Sequence, residues 1–140
     1  MSRDFKIVGG LDGIPTVFVA KASATVLEAG DIVTMIDGLA VKAGATSATI
    51  AYAPHGAADG ELYVEMTRGN NFELVGVKDA DVVFAVDQRG DACDLKGTTD
   101  LIIDNDTSST NVLQICGDKD NGVVGSKAGI RVKIAKPVLL

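Results

Sequence analysis

The chain never settles into a helical repeat. No window spaces apolar residues at three and four without a glycine, threonine or valine cluster breaking the pattern, and short β-type runs succeed one another along the length. The runs are FKIV (5–8), PTVFVA (15–20), DIVTMID (31–37), LAVKA (39–43), TIAYA (49–53), ELYVEM (61–66), FELVGV (72–77), DVVFAV (81–86), DLIID (100–104), NVLQIC (111–116) and IRVKIA (130–135). Between them stand GLDG, Asp37-Gly38, PHGAADG, RGNN, DQRGD, NDTSST and DKDNG, all rich in turn formers. Short strands with no intervening helix predict an all-β domain, either a sandwich or, as the reading taken here, a small single-domain β-barrel. Asp37-Gly38 between two apolar runs favours the positive φ angles of a type I′ turn, so DIVTMID and LAVKA should pair as a hairpin.

Alternation separates two kinds of strand. IRVKIA sets Val132 and Ile134 against Arg131 and Lys133, and ELYVEM sets Leu62, Val64 and Met66 against Tyr63 and Glu65, so each has one wet face. DIVTMID, PTVFVA and DVVFAV are apolar on both faces, and a 140-residue chain has little interior in which to hide two-sided strands. A subunit interface is the natural second cover. The interface candidates are Ile32, Ile36, Val83, Val112 and Cys116.

Thirteen basic against nineteen acidic side chains, net charge -6, give no footprint for a phosphate backbone, so nucleic acid is not an expected partner. MSRDFKIVGG lacks the apolar stretch of an export signal, and no segment has the length of a membrane helix. Cys93 and Cys116 show no zinc-ligand spacing, and the expected compartment is reducing. Alternation points Cys93 inward with Leu95, and Cys116 outward with Val112 and Gln114, which predicts two free thiols.

The chemical motifs resolve into turns. Arg89-Gly90-Asp91 matches an adhesion triplet by only three letters and reads better as the turn into the strand ACDLK. In DNDTSSTN (104–111), Asp104, Asp106 and Ser108 alternate as in a calcium loop. Ser109 then stands where an EF-hand needs glycine, and Ile115 where it needs glutamate. Asx-type turns account for this loop and for DKDNG (118–122), so no metal site is expected. GGLDG (9–13) lacks the lysine and hydroxyl residue of a phosphate loop, and His55 is the sole histidine. Neither a cofactor nor an enzyme is indicated.

The order of segments carries a resemblance. AGDIVTMIDGLAVKAGATSATIAYAPHGAADGELYVEM (29–66), then RGDACDLKGTTDLIIDNDTSSTNVLQICG (89–117) and IRVKIA (130–135), together resemble the small capsid decoration, or cement, proteins of tailed bacteriophages. The resemblance implies a β-barrel or β-tulip domain, often trimeric, made in the bacterial cytoplasm. Such a protein sits on the outer face of the phage head and bridges neighbouring major capsid protein subunits. The main rival class is a cell-surface or carbohydrate-binding β-sandwich.

Residues 1–14 are expected to form an N-terminal arm ahead of the domain at 15–140. In 2–13, SRDFKIVGGLDG, a charged pair leads into the alternation of Phe5 and Ile7 and ends in a glycine-rich hinge. Phe5, Lys6, Ile7 and Val8 are the capsid-contact candidates, adding as an edge strand to a neighbour. The alternative is that FKIV pairs within its own domain.

Overall fold

The computed structural model describes residues 3–10 and 13–140. Among the described residues the fold is all-β, with a single 3-10 turn at Val86–Gln88. Six strands form one antiparallel sheet: β1 (Phe5–Gly10), β7 (Phe72–Gly76), β11 (Arg131–Ile134), β10 (Leu113–Ile115), β8 (Ala92–Lys96) and β9 (Ile102–Asp104), in that spatial order. A second sheet runs β4 (Leu39–Lys42), β3 (Asp31–Ile36), β5 (Ala51–Ala53), and a separate pair joins β2 (Thr16–Ala20) to β6 (Tyr63–Thr67).

The expected β3–β4 hairpin forms. Ile36 pairs with Leu39 across Asp37 and Gly38, whose φ angles of 52° and 80° are those a type I′ turn demands.

The sheets do not close into a barrel; the arrangement is sandwich-like, and this corrects the barrel reading. Among the described residues the smaller sheet and the β2–β6 pair pack together but are joined by isolated backbone bridges, not by a continuous ladder that could close a barrel. Lys21 bridges to Ala40 beyond the end of β2, and the Tyr52 amide donates to the Thr67 hydroxyl (3.0 Å) rather than into a backbone ladder.

Two cores result, and β3 and β5 lie between them. Ile32, Ile50 and Tyr52 join the larger core, which holds Phe5, Phe72, Leu74, Leu113 and Val132 from the six-stranded sheet. Val33, Ala51 and Ala53 face the other way, onto Val64 and Met66 of β6. The doubly apolar pattern of DIVTMID is therefore satisfied inside one chain at Ile32 and Val33, while Ile36 at the hairpin end stays exposed. Ile32 and Val112 are buried in the larger core, not at a surface.

DVVFAV is not a strand. Its backbone is wired to several separate partners: Asp81 N–H to Ile103 O (2.9 Å), Val82 to both ends of the Asn105 amide (3.0 Å each), and Phe84 N–H to Ser126 O (2.8 Å). β-propensity predicted a ladder; a buried asparagine side chain supplied the bonds instead. Phe84 anchors the segment in the core, while Val83 and Val86 are exposed.

The N-terminal arm is corrected over residues 5–10, which pair with β7 as an edge strand of the domain's own sheet. Residues 1, 2, 11 and 12 of the expected arm lie outside the described residues. Ahead of β1, Arg3 and Asp4 are locked into a buried ionic network. Asp4 Oδ2 accepts from the Ile32 amide (3.0 Å) and from Lys42 Nζ, and Oδ1 accepts from the Leu101 amide (3.0 Å). The Arg3 guanidinium donates two bonds to the fully buried Asp31 carboxylate, a bidentate pairing that holds planar groups in one orientation.

Candidate functional site

Among the described residues one sheet face has no cover. In β2 and β6 the inward positions Val17, Val19, Val64 and Met66 reach the smaller core, so Phe18, Tyr63 and Glu65 point out. The register pairs Phe18 with Glu65 and Ala20 with Tyr63, which makes Phe18 and Tyr63 diagonal neighbours on that outer face. The strand begins at Tyr63, so Leu62 escapes the alternation that predicted it inward and joins the exposed face. Phe18, Leu62 and Tyr63 are 69%, 65% and 59% exposed, and with Glu61 they line an open groove of ≈ 730 Å³. Contiguous exposure of three large apolar side chains is the mark of a binding surface, unlike scattered single valines.

The groove has a polar neighbour. Glu65 accepts from the Thr16 hydroxyl and lies 3.5 Å from Nε2 of the exposed His55. His55 thus faces a carboxylate, while both cysteines are buried.

Those thiols are chemically quiet. Burial, helped by the charge of Asp94, pushes Cys93 up to about 12; burial and Glu73 push Cys116 up to about 11. The inward placement of Cys93 holds. Cys116 keeps the face that alternation predicted, lining an open cleft with Glu73, Gln114 and Lys133 outside both cores, and it is covered there because β10 stops at Ile115 and the chain turns: the Cys116 amide donates to Arg131 O (3.0 Å) and its carbonyl accepts from Asn121 Nδ2 (2.8 Å). Iodoacetamide at pH 8 is expected to leave the native protein unmodified and to add two groups in denaturant, read by intact mass without reductant. Modification of the native protein would show that one thiol is accessible.

RGDACDLKG is architecture. Gly90 takes φ 86°, the Asp91 amide donates to Gln88 O (3.0 Å), and β8 starts at Ala92. Arg89 lies over the Phe84 ring at 5.6 Å and donates to Asn121 O (3.3 Å), so its guanidinium is folded onto the domain rather than offered to a partner. Asp94 in the same stretch is buried, and it accepts amide bonds from Ser109, Thr110 and Asn111 at 2.9–3.1 Å. It is the anchor of the DNDTSSTN loop.

The capsid-contact candidates scatter. Phe5 is fully buried, Lys6 is exposed, Ile7 is 38% exposed, and Val8 sits at a bulge between Ile7 and Gly9. Of the interface candidates only Ile36 and Val83 are exposed, one at the β3–β4 hairpin and the other in the irregular segment before the 3-10 turn. Sequence reasoning missed the Phe18–Leu62–Tyr63 face; the usable signal was Phe18 standing opposite Val17 and Val19 in PTVFVA. It also missed an acidic cluster, because Asp81 is distant in sequence from Asp104 and Asp106, yet the three bring carboxylate oxygens within 4.8 Å of one another.

The chain matches no protein-family model, no curated protein and no solved structure.

Proposed function

We propose that this is a structural binding protein of the virion, a capsid decoration protein that attaches through its uncovered β2–β6 face to the major capsid protein on the outside of a tailed-phage head. The single observation carrying the reading is the Phe18–Leu62–Tyr63 surface, presented by a rigid strand pair over its own packed core. A rigid apolar face loses little conformational freedom on docking, and a negatively charged surface elsewhere keeps an abundant protein soluble. The order of segments resembling phage cement proteins gives the partner its class. Self-association as a homotrimer belongs to the same proposal, since several modest contacts on one lattice reinforce one another through effective concentration.

The test is binding of purified protein to expanded, decoration-free heads. Phe18→Asp is expected to lower head affinity by ~100-fold or more, in the range of a central interface anchor, while the protein stays folded with a melting temperature lowered by only a few degrees, because the side chain is exposed and the new carboxylate faces Glu65 across the strand pair. Wild-type protein that ignores such heads, or a Phe18→Asp variant that binds them normally, would count against the proposal. Light scattering that gives a monomer mass at micromolar concentration would remove the trimer.

A second reading is a carbohydrate-binding module, favoured by two exposed rings, Phe18 and Tyr63, beside Glu61 in one groove. Aromatic faces with a carboxylate at the rim suit a sugar's apolar face and hydroxyls. Glycan-array binding lost in Tyr63→Ala would favour it over the capsid.

A further inference from the structure

Asp81, Asp104 and Asp106 form a cluster that the surrounding chain holds in place. The Asp81 amide is tied to Ile103 O, and the buried Asn105 grips both the N–H and the C=O of Val82, so segments 81–82 and 103–105 cannot separate without breaking three hydrogen bonds. Asp104 is only 9% exposed, and its Oδ1 is enclosed with no hydrogen-bond donor. A buried carboxylate oxygen with no partner is costly and in a native fold calls for an explanation.

Basic groups nearby answer only part of it. Lys96 Nζ donates to Asp81 at 2.9 Å from a half-exposed side chain and holds that carboxyl below its usual range; Lys127 adds a weaker effect on Asp81. Neither donates a hydrogen bond to Asp104 Oδ1. Asp106 also borders an open cleft shared with Asp87 and Asp91, which gives a cation an acidic approach from solvent.

We propose that Asp81, Asp104 and Asp106 bind a hard divalent cation of the calcium class, with Asp104 as the inner ligand and Asp106 at the mouth. Three carboxylates supply only oxygen, which suits calcium, and calcium tolerates an irregular shell completed by water where magnesium demands an octahedron. Lys96 is then the monovalent occupant that a divalent ion displaces from Asp81. The inference rests on this cluster alone and is independent of the β2–β6 face.

Calorimetric titration of chelator-treated full-length protein with calcium chloride tests it, alongside melts in ~10 mM calcium against sodium chloride at equal ionic strength. The expected dissociation constant is ~10⁻⁴ to 10⁻³ M. The expected rise in melting temperature is ~3–6 °C. Asp104→Asn should abolish the response. The exposed Asp106→Asn, which does not disturb the core, should weaken calcium by ~10-fold, and Lys96→Gln should tighten it. A melt that calcium moves no further than sodium overturns the proposal, as does a full response in Asp106→Asn. So does an Asp104→Asn variant that is more stable than wild type and equally calcium-responsive; the cluster is then a carboxyl pair sharing a proton.

Discussion

Deletion of residues 3–10 is expected to abolish cooperative folding, not to release a dispensable tail. Phe5 is fully buried in the larger core, worth ~2–3 kcal/mol on its own, and Tyr52 loses the Phe5 carbonyl its hydroxyl bonds at 3.1 Å. Without Asp4, the buried amides of Ile32 and Leu101 lose their acceptor, at ~1–3 kcal/mol each. Without Arg3, the buried Asp31 loses its bidentate partner, and breaking such a pair costs ~3–5 kcal/mol. Together these are comparable with the ~5–15 kcal/mol by which a domain is stable at all. Circular dichroism melts should show no transition. The point variant Asp4→Ala, which strands both amides and leaves Lys42 only the more distant Asp31 carboxylate (3.9 Å), should remain folded but ~3–5 kcal/mol less stable in urea. A deletion variant that melts cooperatively near the wild-type temperature would restore the segment to the status of an arm.

Asp94→Asn is expected to destabilise by ~2–4 kcal/mol at pH 7, and the penalty is expected to vanish in acid. Burial pushes the Asp94 carboxyl up, but the amides of Asn111, Ser109 and Thr110 together outweigh it and hold its value below the ordinary one. A folded-state value below the unfolded one, ~3.9, gives stability that is present above that pH and lost as pH falls through the folded value. Asp31 and Asp104 have the opposite sign. Burial raises both, so their contribution is complete at low pH and lost as pH rises through their folded values. The wild-type acid profile is therefore a compensation between groups, and the difference between wild type and Asp94→Asn isolates one of them. Urea melts of both proteins at pH 7 and pH 3 measure it; an equal difference at the two pH values would show that the Asp94 charge contributes nothing.

Ten of the β-type runs and the Asp37-Gly38 turn were legible, because period-two patterning and turn chemistry are local. DVVFAV was not, since propensity registers valine and phenylalanine but not an asparagine more than twenty residues away that takes over the backbone bonds of Val82. Sheet membership was equally hidden. The order β1-β7-β11-β10-β8-β9 joins strands far apart in sequence, and nothing in FKIV says that its partner is FELVGV. A two-sided pattern does not say what lies on each face: for β3 it is a second core of the same chain, whereas in β2 Phe18 stays exposed. The Phe18–Leu62–Tyr63 face emerged only once the register of β2 with β6 was known, and the Asp81–Asp104–Asp106 cluster only once Asp81 was seen tied to Ile103.

Ile32 and Val33 are adjacent in sequence yet belong to different interiors, one lined by phenylalanines and leucines, the other by Ala40, Ala51, Ala53 and Ala57. A slip of β3 by a single residue would exchange them, forcing the larger side chain into the alanine compartment and leaving a void where it had been. Both errors occur at once, so misalignment is penalised on two sides rather than one. The middle strand thereby acts as a gauge for the assembly: whichever layer docks first, the other is accepted only in the same alignment.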